Sequence, residues 1–134
     1  MRIIVDTNII FSTLITPNPQ RDGVFFDKGV QIFTAQKLWE ELLTPEHQAK
    51  MRKCAKRHQV DFETLQEYMQ SRIITVVDIN PVYMSIAYEE CKNVDVTDMD
   101  FVALSLQTGY KLWTGDKKLK KGLLAKGIDI FFEP

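Results

Sequence analysis

The residues Arg2-Ile3-Ile4-Val5-Asp6 constrain the fold most, because an unbroken β-branched run stops there at a carboxylate. An apolar run without alternation reads as a strand covered on both faces, as in a parallel sheet. Open α/β sheets bind their ligands at the carboxyl ends of their strands. Asp6 therefore stands where this class places its chemistry, and the question becomes which other acids reach the same edge.

The remainder of the chain alternates helices and strands. Asn8 to Ile15 predicts a short helix capped by Asp6 or Thr7 and ended by Thr16-Pro17-Asn18-Pro19. Asp22 to Lys28 is a second short helix stopped at Gly29, followed by strand two over Val30 to Phe33. Gln36 to Leu43 carries Leu38, Trp39, Leu42 and Leu43 on one helical face. Thr44 as N-cap and Pro45 at the first helical position then restart a helix to about Arg57. One kinked helix is the alternative. Asp61 to Ser71, with Phe62, Leu65, Tyr68 and Met69 spaced helically, completes a helical hairpin before strand three at Ile73 to Val77. Pro81 to Cys91 is helical, and a mostly buried helix from Thr97 or Asp98 to Gly109 precedes strand four, Lys111 to Thr114. A helix over Lys117 to Lys126 and a last strand, Ile128 to Phe132, close the series. With right-handed crossovers this is an α/β fold, a three-layer α/β/α sandwich around a mainly parallel sheet of about five strands.

At 134 residues, 45% hydrophobic and 26% charged, the chain has apolar residues for one core, so a single domain over 1–134 is expected. No apolar run approaches the roughly 18 residues that span a bilayer, and the first residues read as a strand rather than a signal peptide. Cys54 and Cys91 lack a C-x-x-C partner and read as reduced thiols, so the expected location is the cytoplasm. The net charge of −1 argues against a general nucleic-acid-coating protein, which needs many Lys and Arg contacts to phosphates, while local patches can still bind them. No internal repeat or low-complexity tract is present.

Asp6 ends strand one, Asp116 follows strand four, and Asp98 opens the helix that leads into strand four. Each alone has an ordinary explanation, because an Asp at a helix N-terminus is a cap worth about 1 kcal/mol and suits the dipole. Thr97 with Asp100 three residues on resembles a capping box, which assigns Asp100 to structure first. Jointly they say more. With strands one and four adjacent, Asp6 and Asp116 leave the sheet at one edge, and Asp98 joins them if its preceding loop returns there. Three crowded carboxylates repel and raise one another's pKa unless a cation sits among them. Hard carboxylate oxygens with open water positions suit Mg²⁺ or Mn²⁺, which can activate a water and stabilise a phosphoryl group during in-line displacement. Glu40 or Glu41 would be a fourth acid, and because they lie on opposite flanks of the apolar face, periodicity does not choose between them.

Lys117, Lys118, Lys120 and Lys121 occupy a helix start, where the dipole disfavours positive charge. Beside a metal-bound phosphate they make sense as contacts to a nucleic-acid backbone, with a solvated lysine face as the competing reading. Lys50, Arg52, Lys53, Lys56 and Arg57 point in several directions and read as solvated helix surface. His47 and His58 have no spacing partner and read as surface residues, and Trp39 and Trp113 as packing. Asn8 and Thr114 can orient carboxylates through hydrogen bonds or serve as turn residues.

With Asp6-Thr7-Asn8, Glu41-Leu42, Asp98 ahead of Phe101-Val102-Ala103-Leu104, and Thr114-Gly115-Asp116-Lys117, the chain resembles the PIN-domain nucleases over nearly its whole length. The order and spacing of these pieces are more specific than any single D-T-N. The resemblance is to the small stand-alone prokaryotic PIN proteins, which include toxins of toxin–antitoxin pairs. It implies a metal-dependent endoribonuclease on an α/β/α sandwich, with Asp6, Glu41, Asp98 and Asp116 matching the acidic site residues. Glu41 is chosen over Glu40 because the family's second acid sits just before a Leu. Asp100 stands where relatives often carry a non-acidic residue and is secondary.

On this reading Asp6, Asp98 and Asp116 hold Mg²⁺ or Mn²⁺, Glu41 binds it or orients water, and Asn8, Asp100 and Thr114 support them. Lys117, Lys118, Lys120 and Lys121 hold the RNA substrate, and an antitoxin protein and a second copy of the chain are the candidate partners. A phosphohydrolase using Asp6 as covalent nucleophile is weaker, because Asn8 stands where such enzymes commonly carry a second acid. A binding module that keeps the fold without cutting is the non-enzyme alternative.

Overall fold

A computed structural model describes residues 1–134. Strands β1 (Arg2–Val5), β2 (Gln31–Ala35), β3 (Ile73–Val76) and β4 (Lys111–Trp113) form one parallel sheet in the order β3-β2-β1-β4. As its unalternated sequence requires, β1 is an inner strand, and Ile3, Ile4 and Val5 are at most 1% exposed. Its register pairs Val5 with Trp113, so β1 and β4 end side by side.

The helix boundaries follow local chemistry. Asp6 caps α1 (Thr7–Ile15) by accepting from the Ile9 amide at 3.0 Å. Helix α2 (Pro19–Phe26) starts earlier than the expected Asp22, because Asn18 caps it and Pro19 sits in its first turn. Asn18-Pro19 is thus a start signal rather than the end of α1. Helices α3 (Gln36–Leu42) and α4 (Pro45–Arg57) are separate, with Thr44 accepting from the His47 amide as α4's cap. Asp61 caps α5 (Phe62–Arg72) and Asn80 caps α6 (Pro81–Cys91). Helix α7 (Met99–Thr108) ends at Gly109, whose φ of 76° supplies the left-handed C-terminal turn. Asp116 caps α8 (Lys117–Ala125).

Helix α7 packs on β1, β2 and β4 with α6 beside it and α8 against α6, while α1 gathers α3, α4 and α5. The result is the α/β/α sandwich expected, with one correction. The fifth strand is a single parallel bridge, Leu112 to Phe131, in which the Leu112 amide donates to Ile130 at 2.6 Å and the Phe132 amide donates back to Leu112 at 2.8 Å. Beyond that bridge the last residues do not pair with β4, so the sheet has four strands. Phe25 and Trp113 stack at 5.3 Å, and Phe25, Phe101, Leu14 and Leu104 are among the side chains fully removed from water. Both cysteines are free thiols, Cys91 buried and Cys54 half-buried. No helix is long and apolar enough to cross a membrane.

One close approach sets where the loop before α7 lies. A Cβ on Gly122 of α8 would overlap both methyls of Val94. Gly122→Ala is expected to cost about 1–3 kcal/mol, because a stiff β-branched neighbour and its loop must move. Urea unfolding of the two proteins measures it, and equal midpoints would show that the loop yields freely.

Candidate active site

The site is assembled where β1 and β4 end. Asp6 is 1% exposed. One of its oxygens accepts from the Ile9 amide and the other from the Thr114 hydroxyl, and each keeps a second lone pair. Thr114 in turn accepts from the Asp116 amide at 3.0 Å, and Asp116 accepts from the Leu119 amide at 3.0 Å. A chain of hydrogen bonds therefore runs from α1 through Thr114 to α8. The capping role of Asp6 and Asp116 and a place in the cluster coexist, since each cap uses a single carboxylate oxygen.

Asp98 is different. It stands at the N-cap position of α7 but its side chain makes no cap bond, and Thr97 bonds to Asp95 rather than closing a capping box with Asp100. Asp98 instead meets Asp95 and Asp116, and one carboxylate oxygen from each of the three lies within 4.8 Å of the others. Asp95 is not among the acids that the sequence singles out. Its signal is a weak one: an acid three residues before Asp98 in a loop leading to a buried helix.

Electrostatics report the crowding. Burial, then the charges of Asp6, Asp116 and Asp95, push the Asp98 carboxyl up to about 7. Asp6 is also raised, chiefly by burial, with the Thr114 and Ile9 donors opposing and the charges of Asp116 and Glu41 adding to the rise. Asp95 is held below the usual carboxylate range by the Thr97 hydroxyl and amide, with Lys118 helping.

The two adjacent glutamates separate. Glu41 is half-buried and close enough to repel Asp6, whereas Glu40 is exposed and lines a groove with Asp100, so neither Glu40 nor Asp100 joins the trio. Asn8 is exposed on α1. Lys117, Lys118 and Lys121 are exposed, while Lys120 pairs with Glu133 at 2.7 Å. Lys37, which the sequence does not single out, donates from α3 to the Thr97 carbonyl and ties α3 to the loop carrying Asp95 and Asp98. The basic residues of α4 are solvated as expected, Arg52 reaching Glu63.

These residues fit a divalent cation. Oxygens bound to one Mg²⁺ at about 2.1 Å stand at most about 4.2 Å apart. One oxygen from each of Asp95, Asp98 and Asp116 lies within 4.8 Å of the others, close to that spacing. The donor set is all oxygen, the choice of hard ions. The Thr7 hydroxyl, next to Asp6, is buried with no partner, a further polar atom that protein groups leave unsatisfied.

A parallel α/β sandwich with carboxylates gathered where adjacent strands end defines a class of small acidic-centre domains. Within that class, a family profile described as PIN domain matches residues 4–129, and the chain belongs to the PIN-domain family. PIN domains are generally nucleases and typically use divalent ions. The crystal structure of FitAcB from Neisseria gonorrhoeae is similar with a TM-score of 0.54 and 15% identity, covering 98% of this chain and 97% of that one. That likeness carries the fold. No curated protein sequence matches the chain.

A pH dependence follows for the metal-free protein. Unfolded, Asp98 ionises near the ordinary carboxylate value of 3.8; folded, it holds its proton to about 7. Between those limits the folded state binds more protons, so this group makes stability fall as pH rises from about 4 to about 7 and adds no slope outside that window. Asp98→Asn is expected to flatten the slope and to stabilise the metal-free protein at pH 7.5 by on the order of 1 kcal/mol, after allowing for solvent screening. Melting temperature against pH for both proteins measures this, and parallel curves would contradict it.

Proposed function

We propose that this protein is a metal-dependent endoribonuclease, taking Mg²⁺ or Mn²⁺ and hydrolysing RNA phosphodiester bonds. The observation that carries the reading is the convergence of Asp95, Asp98 and Asp116 beside buried Asp6, with Asp98 held near 7 and free of any capping bond. Like charges so placed cost stability, and a bound cation removes that cost. Asp98 and Asp116 would hold the ion together with Asp95. Asp6 fixes Thr114 through its hydroxyl, adds its negative charge beside the trio, and keeps a lone pair on each oxygen that could face the ion.

When bound, the ion would supply Lewis-acid stabilisation of phosphoryl charge and a more acidic water. The chain's own residues do the rest. Glu41 accepts a hydrogen bond from the attacking water and orients it toward phosphorus. Lys117, Lys118 and Lys121 hold flanking phosphates as charged contacts without base preference. Lys120 joins them when Glu133 releases it. Asn8 and Thr114 support the carboxylates.

The phosphohydrolase reading is disfavoured by the state of Asp6. A covalent nucleophile needs an accessible oxygen, and Asp6 is 1% exposed. A toxin role with an antitoxin partner comes from the family resemblance. Growth arrest on expression, relieved by co-expression of a small neighbouring reading frame, supports it, and unaffected growth counts against it.

Cleavage of a mixed set of structured and unstructured RNAs in Mn²⁺ tests the central claim. The wild type is expected to cut, EDTA to stop it, and Asp6→Asn to lower the rate by at least about 100-fold, the scale of losing one electrostatic contributor, with the circular dichroism spectrum unchanged. Full cleavage by Asp6→Asn would sink the proposal. Replacing Lys117, Lys118 and Lys121 together by Gln is expected to weaken RNA binding and to lessen the slope of log K against log salt by roughly 2, about 0.7 for each phosphate that is no longer neutralised. An unchanged slope would return those lysines to solvent.

A further inference from the structure

Glu40 and Asp100 are left out of the acidic trio and meet instead in a groove of about 270 Å³. Gln36 and Glu40 of α3 line one side, Asp100 in the first turn of α7 lines another, and Val76, Ile79 and Met84 provide apolar surface. Val76 ends β3 and Gln36 directly follows β2, so the groove opens at the same sheet edge as Asp6 and Asp116. It is continuous with the acidic centre through covalent structure: Asp100 lies two residues beyond Asp98, and Lys37 in the groove wall binds the loop ahead of Asp98. Neither Glu40 nor Asp100 takes part in an ion pair. Their acceptor oxygens are available.

We propose that this groove selects a guanine base next to the phosphate that is cut, an inference that rests on the nuclease reading above. Single-stranded RNA is recognised through bases splayed out of the stack and read on their edges. A carboxylate offers two acceptors and no donor. Guanine is the one common base with two adjacent donors, N1–H and the 2-amino group, on its Watson–Crick edge. Adenine and cytosine turn a ring-nitrogen acceptor toward the carboxylate, and uracil sets its single N–H between two carbonyls. The Gln36 amide can donate to guanine O6, and Val76, Ile79 and Met84 cover the ring face. The volume is at the low end of small-molecule pockets, the scale of one base rather than of a folded partner.

The test is a titration of the full chain, without divalent ions, with guanosine, inosine and adenosine 5′-monophosphates, followed by backbone amide NMR. Guanosine monophosphate is expected to bind about tenfold or more tighter than the adenosine compound, the discrimination of one bidentate pair. Inosine monophosphate, which lacks the 2-amino group, falls between. Shifts should centre on Gln36 to Glu40 and on Asp100, and Glu40→Gln combined with Asp100→Asn should bring the three affinities together. Exposed Glu40 also permits Glu40→Gln alone, with a partial loss, should the double variant fold poorly. Equal affinities in the wild type, shifts elsewhere, or discrimination kept in the variants would overturn the proposal. Because this binding needs neither metal nor cleavage, it can fail while Asp6-dependent cleavage stands, and it can succeed where cleavage fails. Mapping cut sites in a mixed RNA adds a second reading: a preference for guanosine that falls to about unity in Glu40→Gln combined with Asp100→Asn supports the groove, and one that persists refutes it.

Discussion

Asp6 is the one carboxylate that the fold buries to 1% exposure, and the rest of the site depends on how that burial is tolerated. A charge taken out of water without partners costs several kcal/mol. Two donors answer it, the Ile9 amide at the start of α1 and the Thr114 hydroxyl beyond β4. The second exists because β1 and β4 are parallel neighbours with Val5 opposite Trp113. A one-residue slip would turn every side chain of β4 to the other face and take Thr114 away from Asp6. Strand register and carboxylate placement are thus one constraint.

Around that anchored acid the arrangement is strained by charge. Asp6 and Asp116 each stabilise a helix by capping it, but Asp98 caps nothing and is crowded by three other carboxylates. Conflicts of this kind between local stability and the global fold concentrate at functional sites. The loop that holds Asp95 and Asp98 is fixed from two directions, by the contact of Val94 with Gly122 and by the Lys37 bond to Thr97. Rigid support of that sort is what a cluster of like charges needs if it is to stay assembled before a cation arrives.

The break between α3 and α4 has a consequence for selectivity among the acids. Because α3 ends before Thr44-Pro45, it is a helix separate from the longer α4, which is tied to it by the Gln48 amide donating to the Leu42 carbonyl. On α3, Glu41 lies near Asp6 while Glu40 lies in the groove shared with Asp100. Two identical side chains, adjacent in sequence, therefore serve different surroundings.

Much of this is legible in the residues alone, and for physical reasons. A β-branched run without alternation must be covered on both faces, which determines a parallel inner strand at Ile3 to Val5. Prolines and short polar residues determine helix starts, as at Thr44-Pro45 and Asn80-Pro81, although at Asn18-Pro19 the same chemistry reads as an end. Asp6 and Asp116 come to one edge because adjacent parallel strands deliver their following residues there, whereas Asp98 is brought to them by the loop between α6 and α7. Other features depend on contacts between residues far apart in the chain. Asp95 carries no periodic or capping signal, and only the packing of its loop on α8 brings it to Asp98. The fifth strand has suitable residues, but only the sheet shows that one bridge is all it makes. Helical periodicity leaves open which of Glu40 and Glu41 lies near Asp6, because it describes a helix relative to its own axis; the packing of α3 on α1 brings Glu41 there.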